Sequence, residues 1–321
     1  MKLSQPICIL AVANGLVLFV RAADKPRFQV SVNMVQLRVT VTDHHGRYIE
    51  NLGRKDFRVL ENGEERTIRS VIPPEEGEKA ATTVFVLFDT SDRMYDDFCY
   101  AEDAVADFIR GLDPSDAVAV YGFSRNLMRL TPPTRDRAAA IGALRQAVAG
   151  DDTSLYDAVL LTLRDAAKIQ GNKVLVIFSK GQDRTSMLTP AQVRAVAEND
   201  GVPVYVVSAR DRTVLTHNAF TELANQTGGQ VYFAPSWQKQ RMAFASIDDD
   251  LNHSYVITYY IPPAKDDFFR RIEVQVPGDK GRRLRVRTRG GYSPSSADLR
   301  MLNWNSSEFS SGSTHTQRAE E

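Results

Sequence analysis

Val84-Phe85-Val86-Leu87-Phe88-Asp89-Thr90-Ser91-Asp92-Arg93-Met94 is the stretch that decides the fold. Its apolar run shows no alternation, as expected of a parallel strand covered on both faces. The run stops at Asp89, and open α/β sheets bind ligands at the carboxyl ends of their strands. Ser91 follows two residues later. The spacing is that of Asp-x-Ser-x-Ser, a loop that aims oxygen atoms at a divalent cation, but Arg93 occupies the last serine position.

Outward from this stretch, strands and helices alternate. Apolar runs at Val84–Phe88, Ala117–Phe123, Val174–Phe178, Val204–Val207 and Val231–Ala234 read as strands. Phe98, Ala101, Val105, Phe108, Ile109 and Leu112 form one helical stripe, and Leu155, Val159 and Leu163 another. Thr189-Pro190 is a helix start and Asn199-Asp200-Gly201 a helix stop. This pattern predicts a doubly wound, mostly parallel α/β sheet over 80–251.

Both flanks read as β. Phe28, Val30 and Val32 alternate, then Val35, Leu37, Val39 and Val41 alternate in the other phase. His45-Gly46 fits a turn. The segment 56–60 ends at Asn62-Gly63, a strong hairpin signal, with Thr67–Ile72 expected as the returning strand. A polar linker runs from Pro73 to Lys79. After a helix near Gln238–Leu251, strands are expected at Tyr255–Ile261, Ile272–Val276 and Leu284–Thr288. A small β domain formed from both chain ends follows, from residues 27–72 and 252–293. The Ser-, Asn- and Thr-rich tail 294–321 reads as disordered.

The chain has 321 residues, 43% hydrophobic and 25% charged, with 40 basic against 40 acidic side chains. A neutral balance removes any global steering toward nucleic acid. Lys2, the apolar stretch Pro6–Val20 and Val20-Arg21-Ala22 read as a signal peptide over 1–22, which implies an exported protein, periplasmic or secreted, with no stable membrane span after cleavage. Cys8 would leave with the signal. Cys99 would remain alone and, on an amphipathic helix, is expected to be a buried, inert thiol.

The ordered motifs resemble the von Willebrand factor A fold, in particular exported bacterial proteins that carry a β segment on each side of an A domain. The resemblance rests on Asp89-x-Ser91, on Asp151-Asp152-Thr153-Ser154-Leu155-Tyr156-Asp157-Ala158, on Ser179-Lys180-Gly181, on Asp56-Phe57-x-Val59-x-Glu61-Asn62-Gly63 and on Arg289-Gly290-Gly291-Tyr292. It covers roughly residues 28–293. It implies a metal-ion-dependent adhesion site at Asp89, Ser91 and Thr153, whose open position accepts a partner's carboxylate. Two positions depart from the family pattern: Arg93 replaces a hydroxyl, and Lys180 stands where the family has an aspartate.

At ~4 Å and an effective dielectric of ~20, each unit-charge repulsion is ~4 kcal/mol, and double that against a dication. The site is therefore expected to be degenerate, with Lys180 standing in for the metal through an ion pair with Asp89. Asp89, Ser91, Arg93, Thr153 and Lys180 become the ligand-binding candidates. No cofactor is expected; the alternative is residual Mg²⁺ or Mn²⁺ binding aided by Asp92, Asp152 or Asp183. The function expected is non-enzymatic protein–protein binding or adhesion through the top face of the sheet, toward a protein partner and not nucleic acid. An architectural role in an envelope assembly is the alternative, and a Ser91–Lys180 hydrolase a third.

Other motifs read as structure. Gly122-Phe123-Ser124 lacks the second glycine of a nucleophile elbow. The five histidines have no metal-ligand spacing, and Gly228-Gly229 closes a helix. Arg283, Arg285, Arg287 and Arg289 alternate and read as a solvated, aggregation-resistant strand edge.

Overall fold

The structure, a computed structural model, describes residues 33–74, 81–181, 183–211, 214–261, 268–277 and 284–293. The signal segment, the strand at 28–32, part of the 73–79 linker and the tail lie outside the described residues. The first elements are β1 (Asn33–Thr42), β2 (Arg58–Glu61), β3 (Glu64–Arg66) and β4 (Ile68–Ile72). The α/β region follows as β5 (Thr82–Asp89), α1 (Phe98–Gly111), β6 (Ala117–Phe123), β7 (Leu127–Thr134), α2 (Arg137–Leu144), α3 (Leu155–Ala167) and β8 (Asn172–Ser179). It continues through α4 (Pro190–Asp200), β9 (Val204–Ser208), α5 (Val214–Thr227), β10 (Val231–Phe233) and α6 (Trp237–Asn252). The chain closes with β11 (Ser254–Ile261), β12 (Arg270–Gln275), β13 (Arg285–Arg287) and β14 (Gly291–Tyr292).

β5 is the strand the central sheet is built around. It pairs in parallel with β6 on one side and β8 on the other, in the order β10-β9-β8-β5-β6-β7. Both its faces are apolar because both are covered. Val84, Val86 and Phe88 pack with α1, α2 and α6, while Phe85 and Leu87 pack with α3, α4 and α5. β7 pairs antiparallel at one margin and escaped the sequence reading. Its Pro132 and Pro133 argue against a strand, and at a sheet edge proline's missing N–H costs no ladder bond.

Two antiparallel sheets, β13-β1-β11-β4 and β14-β12-β2-β3, draw on both flanks of the α/β region. They share a core that includes Val35, Leu37, Val39, Val41, Val59, Tyr255, Ile257, Tyr259, Ile272 and Val274. One expected pairing is corrected. Asn62 and Gly63 both have positive φ, 53° and 84°, the backbone of a two-residue hairpin loop. So tight a loop demands pairing at once, and Glu64–Arg66 supplies it. Ile68–Ile72 instead crosses to the other sheet and pairs with β11.

The arginine run is corrected too. Arg285 is exposed, but Arg289 is only 8% exposed, and Arg287 bonds the buried Asp250. Asp250 also accepts from Tyr48 Oη at 2.8 Å, so one carboxylate joins the N-terminal flank, α6 and β13. Cys99 is exposed rather than buried. It is the second residue of α1 and lies off the stripe that packs on the sheet.

Glu61 is a second junction, fully buried. Its Oε1 meets Arg270 at 3.1 Å and Arg66 at 3.3 Å, and its Oε2 accepts from Tyr259 and Tyr292 at 3.1 and 3.0 Å. Burial, with the Glu61 charge beside it, pushes the Tyr292 hydroxyl up to about 12. Removing one member of a buried charge cluster strands the others. Glu61→Ala is therefore expected to lower stability by about 3–5 kcal/mol in denaturant titration. The exposed Glu65→Ala, which breaks only a surface pair with Arg58, is expected to cost less than about 1 kcal/mol.

Candidate functional site

The strand order defines a crevice. From β5 the chain moves to β6 on one side, and later returns to β8 on the other. The gap beyond the carboxyl ends of β5 and β8 is thus the topological switch point of the sheet, where open α/β folds bind ligands. Asp89 ends β5 there and Ser179 ends β8.

Backbone bonds stitch the surrounding loops together. Thr90 N donates to Phe123 O, Gly150 N to Thr90 O, Asp92 N to Asp151 O and Ser154 N to Ser124 O, all at 2.8–2.9 Å. Arg184 N donates to Thr153 O at 2.9 Å. The 89–92 loop, the 150–154 loop and the 180–185 loop therefore meet at one place. Four of the predicted site residues, Asp89, Ser91, Thr153 and Lys180, belong to these loops. Arg93 stands in the short 3-10 helix Asp92–Asp97 that continues the first.

Asp89 is 1% exposed. Its Oδ1 accepts from Ser91 N at 2.9 Å and its Oδ2 from Ser179 Oγ at 2.6 Å. Burial pushes its carboxyl up, against the opposing pull of the Ser179 and Ser91 hydrogen bonds and the Lys180 backbone N–H. Lys180 thus acts on Asp89 through its main chain.

In the loops at this end of the sheet two buried polar atoms have no hydrogen-bond partner, Thr153 Oγ1 and Arg93 Nε, while the Ser91 side chain acts on Asp89 itself. Ser208 Oγ, at the end of β9 and in register with Ser179, is another buried atom without a partner. Sequence reading missed Ser179 and Ser208 as site residues. A serine at the end of an apolar strand is too common a signal, and only the register sets Ser179 beside Asp89 and Ser208 beside Ser179.

The other acids near the crevice are committed elsewhere. Asp183 Oδ1 accepts from Leu155 N at 2.7 Å and from Ser186 Oγ at 2.5 Å, and so caps α3. Asp152 accepts from Arg125 at 2.9 Å and Arg184 at 3.2 Å, and these two guanidiniums hold its carboxyl below the usual range. Asp92 lies 3.7 Å from Arg184. As a donor set for Mg²⁺, the Ser91 and Thr153 hydroxyls are the right kind of oxygen. The charge is not: the one carboxylate at the strand end, Asp89, is buried and already bonded at both oxygens.

Residues 83–182 match the family model of the von Willebrand factor type A domain. The chain carries a von Willebrand factor A domain. The match runs from β5 through β8 and so contains all five predicted site residues. Solved structures similar to this chain include the conserved hypothetical protein BatB from Bacteroides thetaiotaomicron, at 19% identity, covering 53% of this chain and 98% of that one with a TM-score of 0.45. The vWF domain of the type V pili tip protein Mfa5 from Porphyromonas gingivalis is similar at 12% identity, over 54% of this chain and 96% of that one, TM-score 0.47. The PilB minor pilin from Streptococcus sanguinis is similar at 11% identity, over 56% and 63%, TM-score 0.45. No curated protein matches the chain.

Two outcomes follow from the A-domain site. Because the native Asp89 carboxyl holds its proton to higher pH than in the unfolded chain, its contribution to stability is full below about pH 4 and is lost as pH rises through its raised native value. Asp89→Asn, which never ionises, should gain on the wild type in thermal midpoint as pH rises from about 4 to 8. Thr153→Val removes a hydroxyl that has no partner. It should leave stability within about 1 kcal/mol of wild type or raise it, whereas Ser179→Ala, which removes a donor to Asp89, should cost about 1–3 kcal/mol.

Proposed function

We propose that this chain is a non-enzymatic, exported binding protein that meets a protein partner through the carboxyl-end face of its A-domain sheet, without a bridging metal. The observation that carries this reading is the pair of buried donors without a hydrogen-bond partner in the loops beyond the carboxyl end of β5, Arg93 Nε and Thr153 Oγ1. A buried donor without an acceptor is costly, by about 1–3 kcal/mol, and an arriving carboxylate oxygen would supply the acceptor. Arginine suits that task because its guanidinium is planar, permanently charged and matched to a carboxylate. Lys180 directly follows β8 on the neighbouring loop and is the second cation proposed for the same carboxylate. In the metal-dependent form of the site a dication would join the protein to the partner's carboxylate. Here the cationic side chains would take its place.

A further observation favours the reading: Asp92, Asp152 and Asp183, the acids available to assist a residual metal, are bonded or paired within the fold. Export rests on Lys2, the apolar stretch Pro6–Val20 and Val20-Arg21-Ala22. Among the described residues no helix is long and apolar enough to cross a membrane.

Thermal unfolding in excess Mg²⁺ or Mn²⁺ against chelator tests the metal-free reading. Wild type is expected to show no shift. Lys180→Asp restores the family's acid and should gain stability, roughly 2.7 kcal/mol when the cation is at 100 times its dissociation constant. A clear wild-type shift would overturn the reading. Crosslinking from the A-domain face to envelope proteins tests the binding role: Arg93→Ala should lose the crosslinks with its melting point unchanged, and retained crosslinks would count against it.

A further inference from the structure

Helices α1 and α6 lie side by side on one face of the central sheet, where they share a core with Val84, Val86 and Phe88. Each follows a strand of the same parallel set, β5 and β10, so both begin at the carboxyl end of the sheet and run the same way. Two contacts fix their register. The Phe108 and Phe244 rings stack at 5.1 Å beneath the seam, and Arg241 meets Asp107 at 3.3 Å on its outer side. From that ion pair the helical repeat places the side chains nearer the carboxyl end. Tyr100 precedes Asp107 by two turns and lies on the same stripe about 10 Å further up, and Trp237 precedes Arg241 by one turn, about 6 Å up. The two rings therefore flank one seam. Tyr100 is 63% exposed and Trp237 46%; Met242 points away from the buried stripe of α6 and is 69% exposed. The helices also carry opposite charge. From Phe98 to Ile109, α1 holds Glu102, Asp103 and Asp107 and no base; from Trp237 to Ile247, α6 holds Lys239 and Arg241 and no acid.

Such a face is complementary to itself. A two-fold axis in the contact plane and parallel to the helices sets α1 of one copy on α6 of the other, at the same height. Asp107 then faces the other copy's Arg241, and the two intrachain ion pairs join into a ring of four alternating charges. An axis across the helices would instead set α1 on α1, acid against acid. We propose that the α1–α6 face is the contact between two copies of this chain, related by a two-fold axis along the helices. Exposed tyrosine, tryptophan and methionine beside charges of both signs are the composition of a subunit contact, with the rings as anchors and the charges fixing orientation. The axis runs along the helices, so both carboxyl-end faces point the same way, and a dimer offers two A-domain crevices to one surface. The contact contains no residue of the crevice and does not rest on the reading of it.

Sedimentation equilibrium with a charge-reversal cycle tests it on the full chain, between about 5 and 200 µM, where mass action populates a dimer of micromolar affinity. Wild type is expected to pass from one chain mass to two over that range. Asp107→Arg and Arg241→Asp each set like charges across the axis, and each alone should weaken association by more than about tenfold. Mixed in equal amounts, the two variants regain both cross-axis pairs, and the mixture should dimerise again. Met242→Asp brings a further acid against the other copy's α1 without touching an ion pair, and should also weaken association. A wild type that stays monomeric at the highest concentration would overturn the proposal. Single reversals that leave a dimer intact would overturn it too, as would a mixture that stays monomeric. Thermal midpoints close to wild type establish that the variants are folded, and Met242→Asp carries the test if a reversal does not fold.

Discussion

The pairing of β5 on both sides is the constraint on which the rest of this protein depends. A strand paired in parallel with two neighbours and covered by helices on both faces must be apolar throughout, and Val84–Phe88 is. The strand ends where its cover ends. There it delivers Asp89 into a place with almost no water, held by Ser179 Oγ and the Ser91 N–H. Burying a carboxylate costs several kcal/mol unless hydrogen bonds offset it. The raised proton affinity of Asp89 indicates that the offset is incomplete. A site that retains an electrostatic imbalance is a common feature of binding surfaces.

The flanks solve a different problem. The two antiparallel sheets pair chain segments that are far apart in sequence, Asn33 with Ile261 and Glu61 with Ile272, so local sequence preference cannot hold them together. Apolar packing supplies most of the cohesion. Two buried carboxylates supply the register: Glu61 gathers side chains from β3, β11, β12 and β14, and Asp250 ties Tyr48 to Arg287. A misregistered strand would leave these charges unpaired. That penalty is far larger than the small net gain from forming the pairs. Further contacts run from β1 to the foot of the central sheet, where Arg38 donates to Thr82 Oγ1 at 2.7 Å and Gln36 bonds Asn172.

The crevice itself combines features of opposite kind. The Ser91 and Thr153 hydroxyls are the kind of oxygen that suits a hard cation, while the charged groups of the same loops are of both signs. Arg93 brings a permanent cation, and the acids around it are spent on capping α3 and on pairing with Arg125 and Arg184. The same loop scaffold can serve either chemistry, because backbone bonds between the loops fix its shape without depending on which side chains line it.

Much of this was legible in the sequence. Continuous apolar runs at β5, β6, β8 and β9, the cap at Thr189-Pro190 and the left-handed Gly201 are local signals, set by residues within a few positions of one another. The loops carrying Asp89, Ser91, Arg93, Thr153 and Lys180 could be named for the same reason. What the sequence left open depends on neighbours far away along the chain. Whether Arg287 and Arg289 face water or a buried acid, whether Cys99 is covered, where Ile68–Ile72 pairs and whether a proline-bearing segment can be an edge strand are all decided by packing. So is the state of the crevice. Ser179 and Ser208 become site residues only because parallel register sets the ends of β5, β8 and β9 side by side, and the acids are committed only because loops from three parts of the chain meet there. Sequence by itself determined the elements and the chemical inventory of the site; tertiary structure alone decided which of those groups are buried, bonded or left without a partner, because desolvation and hydrogen bonding are properties of the packed surroundings.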